Sequence, residues 1–284
     1  MTICYYFSAA LQERISRETG VVVPEASEGS QRMPTLEKAF TTLQPAVVEC
    51  QQELPFCQVT QFTAIQATVD NLAAAKRVHI VDLGIKSRSH WPIIMQVHAG
   101  RQECQLELLK ITAGGPHKER IEEIGKMLSF FAETINEPFK FKLIVSEMRD
   151  LKKDFFELAE HEVLAVYSEM RLASLLASPD NLESLVGTIA KLKPCVMVMI
   201  EIEASTNTPN FLDRFDAALH LCAAVFNCHE DCMERKNSCR ALLEGVFIWE
   251  GIQNIITTEG EERIHRQEKL EFWRAYWQDL ASLK

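Results

Sequence analysis

The sequence predicts an α/β fold whose sheet is mostly parallel, and two features of its 284 residues indicate this. Five short runs are rich in β-branched or aromatic residues, and most are separated by segments with helical periodicity. Strands that alternate with helices pair in parallel and carry helices on both faces. The runs are VHIVDL (78–83), LELLKIT (106–112), FKFKLIV (139–145), VLAVYSEM (163–170) and CVMVMIEIEA (195–204).

The helical segments complete this organisation. Residues 1–75 have apolar residues at helical spacing, apart from a loop at about 18–34, and predict an N-terminal helical cap or leucine-rich region. Residues 76–284 then form the core, in which IEEIGKMLSFFAETIN (121–136) and NLESLVGTIAKL (181–192) are predicted helices. Right-handed crossovers give a Rossmann-like sheet, and any ligand of such a sheet lies outside the carboxyl ends of the strands.

Composition excludes several functions. The net charge of −10 argues against direct contact with DNA, because nucleic-acid binding needs a basic surface. No apolar run approaches the ~18 residues that span a bilayer, and the N-terminus lacks a basic region followed by an apolar core, so neither a membrane protein nor a secretory signal is expected. Nine cysteines without a short framework spacing indicate reduced thiols in a cytosolic or nuclear compartment.

Acidic residues lie at the carboxyl ends of four of the predicted strands, where a Rossmann-like fold binds its ligands. A dinucleotide site needs a G-x-G-x-x-G turn, but the first turn has the single glycine Gly84. An adenosylmethionine site would have an acid at the end of the second strand, which here ends in KITAGG. We therefore predict no catalytic residue and no cofactor, place any ligand near Asp82 and Gly84, and interpret the acids as strand ends and helix caps. These acids are Asp82, Glu147, Glu169, Glu201 and Glu203.

Cysteine and histidine residues cluster between 220 and 239, and Cys228 and Cys232 are four apart on a predicted helix. Structural zinc sites combine two pairs of closely spaced cysteine or histidine ligands. Here only one half of one pair fits that spacing. Because free cysteines are commonly buried as small apolar residues, we predict no metal site.

Two segments favour binding to other proteins. Leu172, Leu175 and Leu176 form an L-x-x-L-L run, which on a helix makes a compact apolar surface for a partner's groove. The alternative is that these leucines pack on the sheet. Residues 260–277 combine many charges with four aromatic residues, and are expected either to pack against material that this chain lacks or to dock on a partner.

Several blocks resemble the GRAS family of plant transcriptional regulators, in the family's order and at family-like distances. VHIVD resembles the family's VHIID block, the following WP its tryptophan-proline pair, and LELLKITAGG its LRITGIG-type strand. RIHR with the later WR resembles the RVER segment, and EGIQNIITTEGEER is similar to the DELLA-like branch. The residues that match the main motifs are Val78, His79, Ile80, Val81, Asp82, Trp91, Pro92, Trp273 and Arg274.

The resemblance implies a non-enzymatic regulator in the nucleus, on a fold similar to adenosylmethionine-dependent methyltransferases. It implies partners among other transcription factors or GRAS proteins, and makes homo- or hetero-dimers reasonable. The alternative function is a methyltransferase-like protein that binds adenosylmethionine or another small molecule near Asp82. Direct DNA binding is a second alternative, which the acidic charge opposes.

The chain departs from the family in two places. The loop after Asp82 reads IKSR (85–88) where relatives have an asparagine-rich loop, which argues against a ligand contact through that loop. The chain stops shortly after Trp273 and Arg274, so we expect the C-terminal SAW region and its strands to be missing. This predicts an exposed sheet edge and uncovered apolar surface around the C-terminal aromatic residues.

Overall fold

The structure is a computed structural model that describes residues 2–20, 46, 48–85, 90–102 and 104–282. The chain divides into two compact units. The helical unit is Met1–Gln58 with Ile202–Trp273, and the sheet unit is Val59–Glu201 with Arg274–Lys284. Among the described residues, no helix is long and apolar enough to cross a membrane.

The elements follow one another as helices, then alternating strands and helices, then helices again. Short 3-10 turns lie at Met148–Asp150, Lys153–Phe156, Ala173–Ala177 and Gly260–Glu262. In chain order the main elements are α1 (Thr2–Thr19), α2 (Pro55–Leu72), β1 (Arg77–Asp82), α3 (His90–Ala99), β2 (Leu108–Gly115), α4 (Lys118–Thr134), β3 (Phe139–Val145), β4 (Val163–Glu169), α5 (Pro179–Leu192), β5 (Val196–Ile200), α6 (Phe211–Cys232), α7 (Ser238–Leu242), α8 (Trp249–Thr257) and α9 (Leu270–Ser282).

The sheet has the order β3-β2-β1-β4-β5, and all four strand pairings are parallel. The predicted α/β fold and parallel sheet are therefore confirmed. The chain order reverses between β1 and β4, and that reversal is where ligands of open parallel sheets bind. Asp82 ends β1 at this point, with Ala113 and Tyr167 as its neighbours in register.

Two strands differ from the predicted limits by more than one residue. β2 continues through Gly114 and Gly115, because both residues pair with β3. β5 ends at Ile200, four residues before the predicted end, and the next residue, Glu201, turns its side chain towards the loop after β4. β5 is an edge of the described sheet and all five of its residues are half-buried. That further strands belong beyond it stays a prediction.

The sheet is covered by amphipathic helices. Ile121, Ile124 and Leu128 on α4 are buried in the sheet core, and α5 buries Leu182, Leu185, Val186, Ile189 and Leu192. Gly125 lets α4 approach the sheet closely, since a Cβ atom there would overlap the Phe141 ring. Both crossover helices are thus held by the apolar stripes that predicted them.

The helical unit packs α1 against α8 and α6. Its core contains Phe7, Ala10, Phe226, Ile252 and Ile256. α7 and α8 are joined by a π-helical segment, Leu243–Ile248. Because α6 and α8 come after the sheet in the chain, the helices that pack with α1 are not confined to the first 75 residues. The predicted domain boundary at residue 75 stays a prediction.

Candidate functional site at the carboxyl end of the first strand

Asp82 is the central residue of the candidate site. Its side chain is 2% exposed, although an isolated buried carboxylate is strongly unfavourable. The Gly84 N–H donates to Oδ1 at 3.0 Å, and the Trp91 Nε1–H donates to Oδ2 at 3.1 Å. Both carboxyl oxygens therefore bind groups of the protein itself, and the contact joins the turn after β1 to the start of α3.

The protonation of Asp82 is finely balanced. Burial raises the pKa of this carboxyl to about 7, although the hydrogen bonds from Gly84 and Trp91 oppose that shift. The negative charge of Glu169 raises the pKa further, and the positive charge of Arg171 lowers it. A carboxyl group with a pKa near neutrality in a strand-end position is typical of catalytic sites, but structural networks produce such shifts as well.

Arg171 occupies the space over the glycine turn. A Cβ atom added to Gly84 would lie 2.9 Å from Arg171 Cδ and closer still to Nε. In a nucleotide site, the missing glycine side chain leaves room for the ligand's phosphates. Here the arginine side chain fills that room, so Gly84 serves the packing of the protein.

Glu201 fixes the loop that carries Arg171. Its Oε1 atom accepts hydrogen bonds from the backbone N–H groups of Arg171, Leu172 and Ala173, at 3.0, 2.8 and 3.4 Å. Three converging N–H donors form a small anion-binding concavity that this carboxylate occupies. The interpretation of the strand-end acids as caps is thus confirmed for Glu201.

Aromatic side chains line the inner side of the site. The rings of His90 and Tyr167 stack with centroids 4.7 Å apart, and Trp91 meets Tyr167 edge-on at 5.2 Å. Burial lowers the pKa of His90 to about 3, so its ring is neutral at physiological pH. The Tyr167 hydroxyl donates to Glu169 Oε2 at 3.3 Å. The aromatic residues therefore form a packed support for Asp82.

A second polar cluster resembles a catalytic triad in its geometry. Thr112 Oγ1 lies 2.8 Å from His79 Nε2, and Glu162 Oε2 lies 3.2 Å from His79 Nδ1. A hydroxyl nucleophile must meet its substrate, but Thr112 and His79 have no exposed surface. Burial and the nearby Lys110 lower the pKa of His79 to about 4, against the opposing effect of Glu162.

Lys110 gives that cluster its structural role. The Lys110 Nζ group donates to the carbonyl oxygens of Phe156 and Glu157, at 3.3 and 2.7 Å, and lies 3.8 Å from Glu162. The cluster thereby fastens the segment before β4 to the sheet. Our sequence reasoning missed Lys110 and Glu162, and the available signal was a lysine inside an apolar strand.

The family model described as the GRAS domain family matches residues 2–280. The chain belongs to the GRAS domain family. A GRAS relative, DELLA protein RGL3 of Arabidopsis thaliana, is 32% identical over 275 residues, which cover 96% of this chain and 50% of RGL3. DELLA protein GAI1 of Vitis vinifera is 31% identical over 96% of this chain and 45% of its own length.

A solved GRAS structure has the same fold. SCL7 of Oryza sativa superposes with a TM-score of 0.83 at 25% sequence identity, covering 97% of this chain and 73% of SCL7. This likeness confirms the Rossmann-like fold. The chain spans about half the length of the curated DELLA relatives it matches.

The GRAS motif residues are mainly core residues. Val78, Ile80 and Val81 are at most 1% exposed within β1, and Trp91 and Pro92 lie in the first turn of α3. Pro is well tolerated there because its missing N–H is not needed. Of the loop IKSR, residues 86–88 lie outside the described residues.

The C-terminal motif residues have different surroundings. Trp273 is 3% exposed, so the prediction of uncovered apolar surface is wrong for this side chain, whereas Arg274 is exposed. Phe272 packs edge-on against Trp273 at 5.3 Å, and Phe272, Tyr276 and Trp277 are half-buried. These aromatic residues are therefore largely covered within the protein, because amphipathic α9 turns its rings away from solvent.

The three leucines proposed to meet a partner lie in the 3-10 helix Ala173–Ala177 and the residue before it. Leu172 is fully buried and Leu176 is 8% exposed, while Leu175 is half-buried. The structure therefore presents no compact surface of three leucines in this segment. Two of them pack in the interior, as the alternative interpretation expected, and a partner contact through Leu175 stays a prediction.

Proposed function

We propose that this chain is a non-enzymatic transcription regulator that acts in the nucleus by binding other transcription factors or other GRAS proteins. Membership of the GRAS domain family and the similarity to DELLA proteins support this role. The chain covers only about half of those DELLA proteins, so the proposal concerns the GRAS domain alone.

One observation above all supports a non-enzymatic role: groups of the protein itself fill the site at the end of β1. Arg171 lies over Gly84, and both carboxyl oxygens of Asp82 accept hydrogen bonds from the protein. An adenosylmethionine site would need the space over the glycine turn for its ligand. The scaffold is instead used to hold a loop and a helix together.

The charge of the chain supports protein partners. With 40 acidic residues against 30 basic ones, long-range electrostatics oppose approach to a phosphate backbone. Regulation through a bound transcription factor does not require such an approach.

Calorimetry with adenosylmethionine and with adenosylhomocysteine tests the enzymatic alternative. We expect no binding heat at micromolar ligand for the wild-type chain. The variant Arg171→Ala removes the side chain that lies over Gly84. It therefore tests whether this side chain is what keeps the ligand out of the site. Micromolar binding to the wild type that is lost in Asp82→Asn would contradict the proposal and support the alternative.

A tethered reporter tests the regulatory part. The chain is fused to a heterologous DNA-binding domain in plant protoplasts, and transcription of a matching reporter is measured. We expect a change in transcription relative to the DNA-binding domain alone. Equal transcription in both cases would count against a regulatory role.

The partner contact is tested with purified DELLA protein RGL3 as a GRAS partner. We expect Leu175→Asp to weaken association at least about tenfold by biolayer interferometry. Leu212→Asp is the matched control, because Leu212 is 73% exposed and lies in the other unit. Unchanged binding by Leu175→Asp would remove Leu175 from the interface.

A further inference from the structure

Five of the nine cysteines of the chain lie around one apolar cluster of the helical unit. They come from three separate segments and are all half-buried around an apolar cluster that contains Ala46, Leu54 and Met233. The structure therefore brings together cysteines that are up to 189 positions apart in the chain, without regular spacing, which the sequence alone does not reveal. The five are Cys50, Cys57, Cys228, Cys232 and Cys239.

Two of these thiols already lie at the distance of a ligand pair. Cys228 and Cys232 face the same side at the end of α6, and their Sγ atoms are 4.0 Å apart. Both side chains retain some exposure, so a small ion can reach them. Cys57 packs against the same apolar cluster as Cys228 and Cys232, and its thiol is hydrogen-bonded to that of Cys50.

The geometry fits a bridging ion better than a disulfide. Residues four apart on a helix have Cβ atoms ~5–6 Å apart, whereas a disulfide needs about 3.5–4.5 Å. Metal–sulfur bonds of about 2.3 Å at a trigonal angle of about 120° separate the two sulfurs by about 4.0 Å. The observed separation of Cys228 and Cys232 matches that value without movement of the backbone.

We propose that Cys228 and Cys232 bind a soft monovalent ion of the Cu(I) class, with Cys57 as a third ligand after a side-chain rotation. Thiolates select Cu(I) among the metals of the cell, together with zinc and iron–sulfur clusters. Zinc takes four ligands, and within the described part of the chain no three His, Cys, Asp or Glu side chains are already grouped as a metal site. An ion that accepts two or three sulfurs fits this pair.

Binding is a ligand exchange without a redox step. Two S–H bonds break, two Cu–S bonds form, and two protons pass to the buffer. The copper remains Cu(I) throughout. Coordination by Cys57 breaks one further S–H bond and releases a third proton.

Anaerobic titration of the reduced full chain with Cu(I), in competition with the chelator bicinchoninate, tests the proposal. We expect one Cu(I) per chain to be retained against the chelator, with release of two or three protons. Cys228→Ser/Cys232→Ser is expected to lose this ion. Cys57→Ser keeps the stoichiometry and weakens affinity about tenfold or more.

Cys4→Ser/Cys195→Ser is the matched control, because it also removes two thiols, both of them exposed. It is expected to bind Cu(I) as the wild type does. Equal loss in both double variants would show general thiol binding and overturn the proposal, as would retention of the ion by Cys228→Ser/Cys232→Ser.

Alkylation of the wild-type chain provides a test that needs no variant. We expect Cu(I) to protect Cys228 and Cys232 from iodoacetamide, as read by peptide mass spectrometry. Protection of other cysteines with these two left reactive would overturn the assignment.

Discussion

The side chain of Arg171 lies over Gly84, in the space that a Cβ atom at position 84 would need. This contact joins the turn after β1 to the loop after β4, the two strands between which the chain order reverses. The backbone of Gly84 does not have a positive φ, so the absence of a side chain is required here by space and not by conformation.

We predict that Gly84→Ala destabilises the chain by about 1–3 kcal/mol, the usual cost of overpacking. The added methyl group must displace the Arg171 side chain, which is largely buried beside Asp82. Urea unfolding followed by circular dichroism measures the change in the free energy of unfolding.

Gly187→Ala is the control for this substitution. Nothing lies within 4 Å of a Cβ atom at this position on α5, so the same change should stabilise by about 0.5–1 kcal/mol through helix propensity. In addition, Arg171→Ala should reduce the cost of Gly84→Ala in a double-mutant cycle. Independent effects of the two substitutions would show that the contact is not what makes Gly84 necessary.

The sequence predicted the sheet because runs rich in β-branched or aromatic residues alternate with helical segments, a pattern typical of a parallel sheet. The limits of β3 were predicted to the residue. The ends of β2 and β5 were not, because they depend on partners distant in the chain. Pairing with β3 extends β2 across two glycines, and the cap formed by Glu201 ends β5.

The site was predictable only in part. Asp82 and Gly84 stand out in sequence because they lie at and just beyond the end of a buried strand. The position of Arg171 could not be predicted in this way, because it depends on a loop that is hydrogen-bonded to Glu201, 30 residues later in the chain. The leucine run illustrates the same limit, because sequence spacing cannot tell a surface helix from a 3-10 turn whose leucines point inward.

We predict that the chain loses stability on acidification below about pH 6.5. Burial lowers the pKa of His79 to about 4, of His90 to about 3 and of His98 to about 4. In the unfolded chain these residues titrate near 6.5, so the unfolded state binds more protons between those values. From about pH 7.5 to about pH 5.5 the three together cost about 4 kcal/mol.

Urea unfolding at a series of pH values measures this loss. His220 supplies the control, because its side chain is 77% exposed. His220→Gln should leave the slope of stability against pH unchanged, whereas His90→Gln should reduce it. A pH-independent free energy of unfolding over this range would contradict the burial of neutral histidines.

We predict the opposite trend for Asp82. Its pKa is raised to about 7 in the folded chain, so its contribution to stability is present at low pH and is lost as the pH rises towards 7. This group therefore offsets about 2 kcal/mol of the histidine effect between about pH 7.5 and about pH 5.5. Asp82→Asn removes the offset, so the variant should lose stability on acidification more steeply than the wild type. An unchanged slope would mean that Asp82 is ionised throughout this range.

We predict that Glu201→Gln destabilises the chain by about 1–2 kcal/mol. The carboxylate accepts three backbone N–H groups, and hydrogen bonds to a charged acceptor are stronger than those to an amide. Glu203→Gln is the control two residues away, where the exposed side chain accepts one longer bond, from the Leu270 N–H at 3.3 Å. Its expected cost is below about 0.5 kcal/mol. Equal thermal and urea stability of the two variants would exclude a capping role for Glu201.

The last prediction concerns Arg214, which has no exposed surface in the helical unit. Its guanidinium donates to the carbonyl oxygens of Ile255, Thr208 and Pro209, at 3.1, 3.2 and 3.2 Å, and also pairs with Glu259. A lysine carries a single nitrogen and cannot reproduce this fork, so Arg214→Lys leaves buried carbonyl groups unpaired. We expect a loss of about 3 kcal/mol.

Arg17→Lys is the matched control for that change, because Arg17 is 49% exposed and pairs with Glu13 one turn away on α1. An exposed pair of this kind contributes less than about 1 kcal/mol, and lysine preserves its charge. The free energy of unfolding should therefore separate the two variants by about 2 kcal/mol or more. Similar values for both would mean that the charge of Arg214, and not its branched hydrogen bonding, stabilises the segments around residues 208 and 255, since lysine retains only the charge.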